Sequence, residues 1–387
     1  MESFCLRPYA SKRGRVRHPW IIQPAMVWST AMARYLEYRA GPGILDMIRQ
    51  EGLDPRRVRV FTGPAGGPKW FVSVGFDRAI MKSRFLARSG RVLLAGSSAG
   101  AWRCIAMACP EPLTAYERLR LAYSRIAFAP DHTPSTVGQA LWTTVEAFLR
   151  EEDIPFVLEH PVFDLAIHTA RCRGPAASDN RRIQGAALIA AAILNAVSTS
   201  GRRVFFDRVV FFSGPGKPAF AKNEFRGTTV RLSAENIRKA AVATGSLPYF
   251  VEGVTNVSGA LPGVYRDGGL TDYQLNADYC AGDDGIILFY HYQERIIPGW
   301  FDKMLSWRKP PAGSLDRVLQ VFPAKGFVDL LPDGRLPDRN DFAIFVNRPE
   351  ERIRRWDEVA RLSRVLGEEF LDDVDSGRIR NLVRPLR

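Results

Sequence analysis

Apolar positions along this chain fall into runs that switch between helix-like and strand-like spacing. From about Ala33 to Gln50, Tyr35, Ile44, Leu45 and Ile48 recur at helical intervals, with Gly52 just past the end, which predicts a helix. Val58 to Thr62 is a short continuous apolar run, read as a buried strand, and it enters Gly63-Pro64-Ala65-Gly66-Gly67-Pro68, a loop by composition. Phe71, Val74, Ile80 and Phe85 restore helical spacing between Lys69 and about Arg88. A second buried strand, Arg91 to Ala95, then runs into Gly96-Ser97-Ser98-Ala99-Gly100, after which Trp102 to Met107 reads as helix. Strand, Gly-rich loop, helix, strand, turn, helix is the alternation of a doubly wound parallel sheet.

Downstream, helical spacing predicts helices over Pro110 to Ala129, Val137 to Arg150 and Pro155 to Thr169. Ile183 to Val197 carries no charge for fifteen residues. It is shorter than the roughly 20 apolar residues of a membrane span, and its small residues suit a buried core helix, with an interfacial helix over a lipid site as the alternative. Short strands follow at Val204 to Phe206, Val209 to Phe212 and Thr228 to Leu232. Ser233 is placed to cap a helix that Gly245 closes. Val264 to Asp267 is a short strand ending at a carboxylate followed by Gly268 and Gly269. Gly285 to Tyr292 and Arg317 to Phe322 are the last predicted strands, and Pro349 to about Phe370 is an amphipathic helix.

Composition narrows the class. The chain has 387 residues, 46% of them hydrophobic, enough for a large core in one or two domains. Its formal net charge of +13 favours anionic partners, so peripheral contact with an anionic membrane is left open. Nucleic acid is not expected, because no zinc-finger spacing, aromatic RNA-binding signature or long basic block is present. Five scattered cysteines without a C-x-x-C pair point to reduced thiols in a cytoplasmic setting, and no metal or other cofactor is expected. The first 30 residues read as a basic arm, with Met26 and Met32 as alternative starts to Met1. Residues 31–347 are read as one α/β domain and 348–387 as a helical extension packed on it.

The chemistry-bearing pattern is G-x-S-x-G between a strand and a helix. Such a turn lifts a serine hydroxyl to the end of a sheet, making Ser98 a candidate nucleophile between Gly96 and Gly100. Acyl transfer also needs N–H donors for the oxyanion, and Gly66 and Gly67 are the donors available in the Gly-rich loop, since Pro68 has no N–H. Gly66-Gly67-Pro68-Lys69, Gly96 to Gly100 and Asp267-Gly268-Gly269, in this order, resemble the motifs of the patatin-like phospholipase family. The stretch Ala243 to Phe250 is similar to the segment that precedes the acid there. The resemblance implies an α/β fold of three layers, with a mostly parallel central sheet and helices on both faces. It also implies a Ser98/Asp267 dyad acting on lipid esters without histidine, with Lys69, Gly96, Gly100, Gly268 and Gly269 as supporting positions. His132, His160, His168 and His291 are not in Gly-flanked turns. The rival readings are an α/β-hydrolase triad of Ser98, a later Asp and His291, and a lipid-binding member of the fold without turnover. Trp300, Phe301 and Trp307 are the aromatics that could meet a membrane surface.

Overall fold

The computed structural model describes residues 34–386 apart from 129–131, 219, 221–226, 275–276, 281 and 283. The basic arm, Cys5 and the alternative starts therefore lie outside the described residues. Tyr35 to the C-terminus forms one compact unit.

Its centre is a mixed sheet of ten strands: β1 Leu36–Ala40, β2 Val58–Gly63, β3 Val92–Ser97, β4 Phe163–Cys172, β5 Phe206–Phe212, β6 Gly227–Arg231, β7 Val264–Asp267, β8 Ile286–Tyr290, β9 Val318–Pro323 and β10 Arg384–Pro385. The order is β10-β1-β9-β8-β2-β3-β4-β5-β6, and the run β9-β8-β2-β3-β4 is parallel throughout. The fold is α/β with a mostly parallel central sheet flanked by helices. Being covered on both faces, the central strands are apolar at nearly every position, as in the fully buried β8 and β9. Leu94, Ile167, Leu288 and Val321 face the larger core under most of the helices. Ala95, Ala166, Ile287 and Val318 face a second core closed mainly by loops, and beyond it helix Arg181–Val197 packs on Ala170 and Cys172 of β4.

The chain departs from its sequence reading in six places. Of the helix expected from Ala33 to Gln50, only Pro42–Glu51 is helical, because Leu36, Tyr38 and Ala40 alternate inward as strand β1. The helix expected over Pro155 to Thr169 stops at Leu158, and Phe163–Cys172 is β4, the strand between β3 and β5. Val204 belongs to a 3₁₀ turn, and the two predicted strands beside it are the single strand β5. Helix Arg181–Val197 is not a buried core helix: Gln184, Ala187, Ala191 and Asn195 face inward, while Ile183, Ile189, Ile193 and Val197 face solvent. The C-terminal amphipathic segment breaks at Ser363 into Pro349–Leu362 and Arg364–Asp375. Asn236, rather than Ser233, directly precedes helix Ile237–Gly245.

No helix among the described residues is long and apolar enough to cross a membrane. The described cysteines, Cys104, Cys109, Cys172 and Cys280, are buried.

Candidate active site

The topology brings Ser98 and Asp267 to one point. β3 pairs with β4 as far as Ser97 opposite His168, and β7, running the other way, takes over the same edge with Asp267 opposite Thr169. Two strands thus meet end to end beside consecutive residues of β4, and the residue after one faces the last residue of the other. Gly268 is required there because a Cβ would stand 2.1 Å from the His168 carbonyl oxygen.

Ser98 occupies the turn between β3 and helix Ala99–Met107 with φ 53° and ψ −133°. A non-glycine residue held so costs about 1–3 kcal/mol of backbone strain, which the surroundings must offset. Its N–H donates to Thr244 Oγ1 at 2.8 Å, and the Thr244 hydroxyl donates to the His168 carbonyl at 2.6 Å. Thr244 therefore ties the elbow to β4. The elbow helix is anchored below by a buried ion pair, Arg103 Nε to Asp77 Oδ2 at 2.7 Å and Nη2 to Oδ1 at 2.8 Å, to which the Tyr116 hydroxyl also donates. Gly96 and Gly100 are steric necessities: a Cβ on Gly100 would lie 2.0 Å from the Gly63 carbonyl oxygen, and one on Gly96 2.7 Å from the Ala101 nitrogen.

Asp267 is buried at the end of β7. Oδ1 accepts from the Gly269 N–H at 2.7 Å, and Oδ2 has no formed hydrogen bond. Burial pushes this carboxyl above its ordinary range, while Arg339, the Gly269 N–H, the nearby Ser98 hydroxyl and Lys303 each pull it back down. The Arg339 guanidinium stands 3.9 Å from Oδ2. Lys303 caps the Tyr273 ring at 4.3 Å. Burial pushes its ammonium down to about 7, with Arg339 and Lys69 adding to the fall and Asp267 and Asp338 opposing it.

The Gly-rich loop closes the other side. Gly66 precedes, and Gly67 begins, the 3₁₀ turn Gly67–Ser73, so their N–H groups have no acceptor within it. Gly67 has φ 58°, and its Cα lies against Arg339, whose Nε would be 2.8 Å from an added Cβ. Gly66 backs on the Tyr292 ring. The Tyr292 hydroxyl donates to the Ala65 carbonyl at 2.8 Å, and the Ala65 N–H to the Tyr273 carbonyl at 2.9 Å, so the loop is held on both edges. Lys69 pairs with Asp338 at 2.5 Å, pointing away from a direct role. Trp70 is buried against Phe71, Tyr116 and Tyr123.

Ser98, Ala99 and Gly67 share a cavity of about 530 Å³ whose walls are mainly apolar, including Trp102, Ile126, Leu141, Leu247 and Val251, with Arg339 and His132 among its few polar groups. His132 packs against Phe128 in this wall. His291 is outside the lining and fully buried; its Nδ1 accepts from the Gln293 N–H at 2.9 Å, and burial pushes it down to about 3. His168 belongs to β4, and its ring packs on Phe220 and Tyr279, with Nε2 3.1 Å from the Tyr279 hydroxyl. His160 accepts from the N–H groups of Val162 and Phe163. Arg339, Lys303 and Thr244 had no motif to announce them; the only sequence signals were the excess of positive charge and the small-residue stretch containing Thr244.

No family model matches the chain, and no curated protein matches it by sequence. Human GIVD cytosolic phospholipase A2 is similar to it in structure. The likeness has a TM-score of 0.37 and 13% identity, covering 87% of this chain and 62% of the other. This chain thus spans less than two thirds of that length, and a likeness at this level leaves function to the chemistry of the site.

Proposed function

We propose that this chain is a serine acyl hydrolase that cleaves carboxylic esters of phospholipids or related lipids, with Ser98 as nucleophile and Asp267 as its general base. The observation that carries this reading is a serine in a strained strand-to-helix turn, at an apolar cavity, beside a buried carboxylate with one unoccupied oxygen. A serine hydroxyl at its normal pKa needs an adjacent base, and a carboxylate raised by burial is a stronger base than an exposed one. The order of the three Gly-containing motifs, similar to that of patatin-like phospholipases, supports the same assignment.

Asp267 takes the proton as Ser98 Oγ bonds to the acyl carbon. The carbonyl oxygen becomes an oxyanion held by the N–H groups of Gly66 and Gly67, with Ala99, first residue of the elbow helix, as a further donor. Collapse breaks the ester C–O bond, and the departing alkoxide receives the proton from Asp267. Water then attacks the acyl-serine, gives its proton to Asp267, and the carboxylic acid leaves as Ser98 is restored. The apolar walls suit an acyl chain.

The test is labelling of the folded protein with a fluorophosphonate, together with turnover of a panel of lipid esters. Ser98 is expected to take the label and Ser98→Ala to lose both label and turnover. A folded protein whose Ser98 stays unlabelled, with no ester turned over, defeats the enzyme reading in favour of a lipid-binding protein.

A further inference from the structure

We infer that the solvent-facing side of helix Arg181–Val197, extended by Val204, Met304 and Trp307, docks on the surface of an anionic phospholipid bilayer, with the mouth of the Ser98 cavity at the helix's N-terminal end. The inference rests on the lipid-ester reading above for the choice of a bilayer as partner.

A helix packed on one side of a protein ordinarily turns charged or polar residues to water. Here the side opposite the buried Gln184, Ala187, Ala191 and Asn195 carries Ile183, Ile189, Ile193 and Val197, with Ile189 64%, Ile193 61% and Val197 83% exposed. No charged residue interrupts residues 183–201. The helix that carries the apolar strip is about 25 Å long, from 17 residues at ~1.5 Å each.

Two neighbours extend it at the C-terminal end. The Arg308 guanidinium donates to the Asn195 carbonyl at 2.6 Å, and the Asn195 amide donates to Asp302 at 2.7 Å, which fixes the 300–308 segment against the helix. That segment presents Met304 89% and Trp307 67% exposed, while Phe301 beside them is buried. At the other end the Tyr249 N–H donates to the Gln184 side chain and Arg181 lies over the Tyr249 ring, which brings the exposed Phe250, a wall residue of the cavity, next to the helix.

Charge selects the occupant. The rim holds Arg181, Arg182, Arg203 and Lys309, all exposed, and there is no Asp or Glu from Arg181 to Phe206. An apolar strip edged by cations matches a leaflet of acyl chains under anionic head groups. Two copies of the same strip would instead bring like-charged rims together, which opposes a self-paired dimer. Seated this way, the helix lies in the membrane plane and an ester reaches Ser98 past Phe250 without crossing water.

The test is sedimentation of the full chain with phosphatidylcholine vesicles, with and without phosphatidylglycerol. The wild type is expected to bind the anionic vesicles and to be released from them in part by salt. The double variant Ile189→Ser/Ile193→Asp and the single variant Trp307→Glu are each expected to lose binding by about 10-fold or more. Their turnover of a soluble short-chain ester should stay at the wild-type level. The single variant carries the test if the double variant does not fold. Wild-type-like binding by the variants, no binding by the wild type, or a wild-type dimer that the variants dissociate each overturns the inference. Absence of soluble-ester turnover instead removes the Ser98 reading while leaving vesicle binding as an independent readout.

Discussion

Asp267 and Asp272 are separated by a single turn of chain, and both are buried, yet their carboxyls meet opposite surroundings. Asp272 is surrounded by partners: Arg208 at 2.7 Å, the Thr271 hydroxyl at 2.9 Å and the His168 ring at 3.5 Å. Burial acts to raise its pKa, but Arg208 and His168 outweigh it and hold the group well below the usual carboxylate range. Asp267 has one N–H, a guanidinium at 3.9 Å and an oxygen without a hydrogen bond, and burial wins. A carboxylate that stabilises a fold is held by a counter-charge in contact with both its oxygens, as Arg208 is at 2.7 Å from each oxygen of Asp272, whereas one that is to accept a proton stands farther from its cation. On the function proposed above, Asp272 takes the structural role and Asp267 that of the base.

Exchanging the two roles is the strongest way to break that comparison. Asp267→Asn keeps the side-chain shape and removes the base, so ester turnover should fall by on the order of 10³-fold or more with little change in unfolding temperature. His291→Ala should leave turnover near wild type. A loss in His291→Ala or His132→Ala as deep as that of Ser98→Ala would put an imidazole in the role given to Asp267.

Asp272→Ala should do the reverse, costing about 3–5 kcal/mol of stability because it removes the buried carboxylate that Arg208, Thr271 and His168 all contact. Turnover per folded molecule should be largely kept. Since the folded-state pKa of Asp272 is depressed, its contribution is full above the ordinary aspartate value of 3.8 and is lost as pH falls through the lower folded value. Denaturant titrations at neutral and acidic pH should therefore show wild type and variant converging toward low pH. A difference independent of pH would remove ionisation from the explanation.

The smallest effect sharpens the electrostatics of Asp267. Arg339 lowers its pKa, so Arg339→Gln should move the acid limb of kcat/KM to higher pH, with turnover at neutral pH reduced by less than about 10-fold. An unmoved or lowered acid limb would show that Asp267 does not titrate in that limb.

Much of the site's floor could be read along the chain, because its constraints fall on glycines at strand ends. Gly96 and Gly269 are forced by neighbours in sequence, Gly100 and Gly268 by the carbonyls of Gly63 and His168 on adjoining strands, and all four leave a spelling. β1 and β4 were not legible for a physical reason. Leu36, Tyr38 and Ala40 alternate for only five residues before Pro42 starts a helix, and the apolar run of β4 follows a genuine helix turn without a glycine to punctuate it. Arg339 and Lys303 reach Asp267 only through the tertiary fold, so no spacing could have tied them to it. Helix Arg181–Val197 was misread as core because small apolar residues look alike whether they face a sheet or water; what distinguishes them is the inward polar pair Gln184 and Asn195.

The contact between Gly63 and Gly100 has a consequence for how this site can vary. An added Cβ at Gly63 would lie 2.6 Å from the Gly100 carbonyl oxygen, so the end of β2 and the start of the elbow helix touch main chain to main chain. The spacing between the donor loop that follows β2 and the serine that follows β3 is thereby gauged by backbone alone. Side chains of the intervening loop, Pro64, Ala65, Pro68 and Lys69 included, can be respelled without altering that gauge, while a single methyl at either glycine would pry the two halves of the site apart.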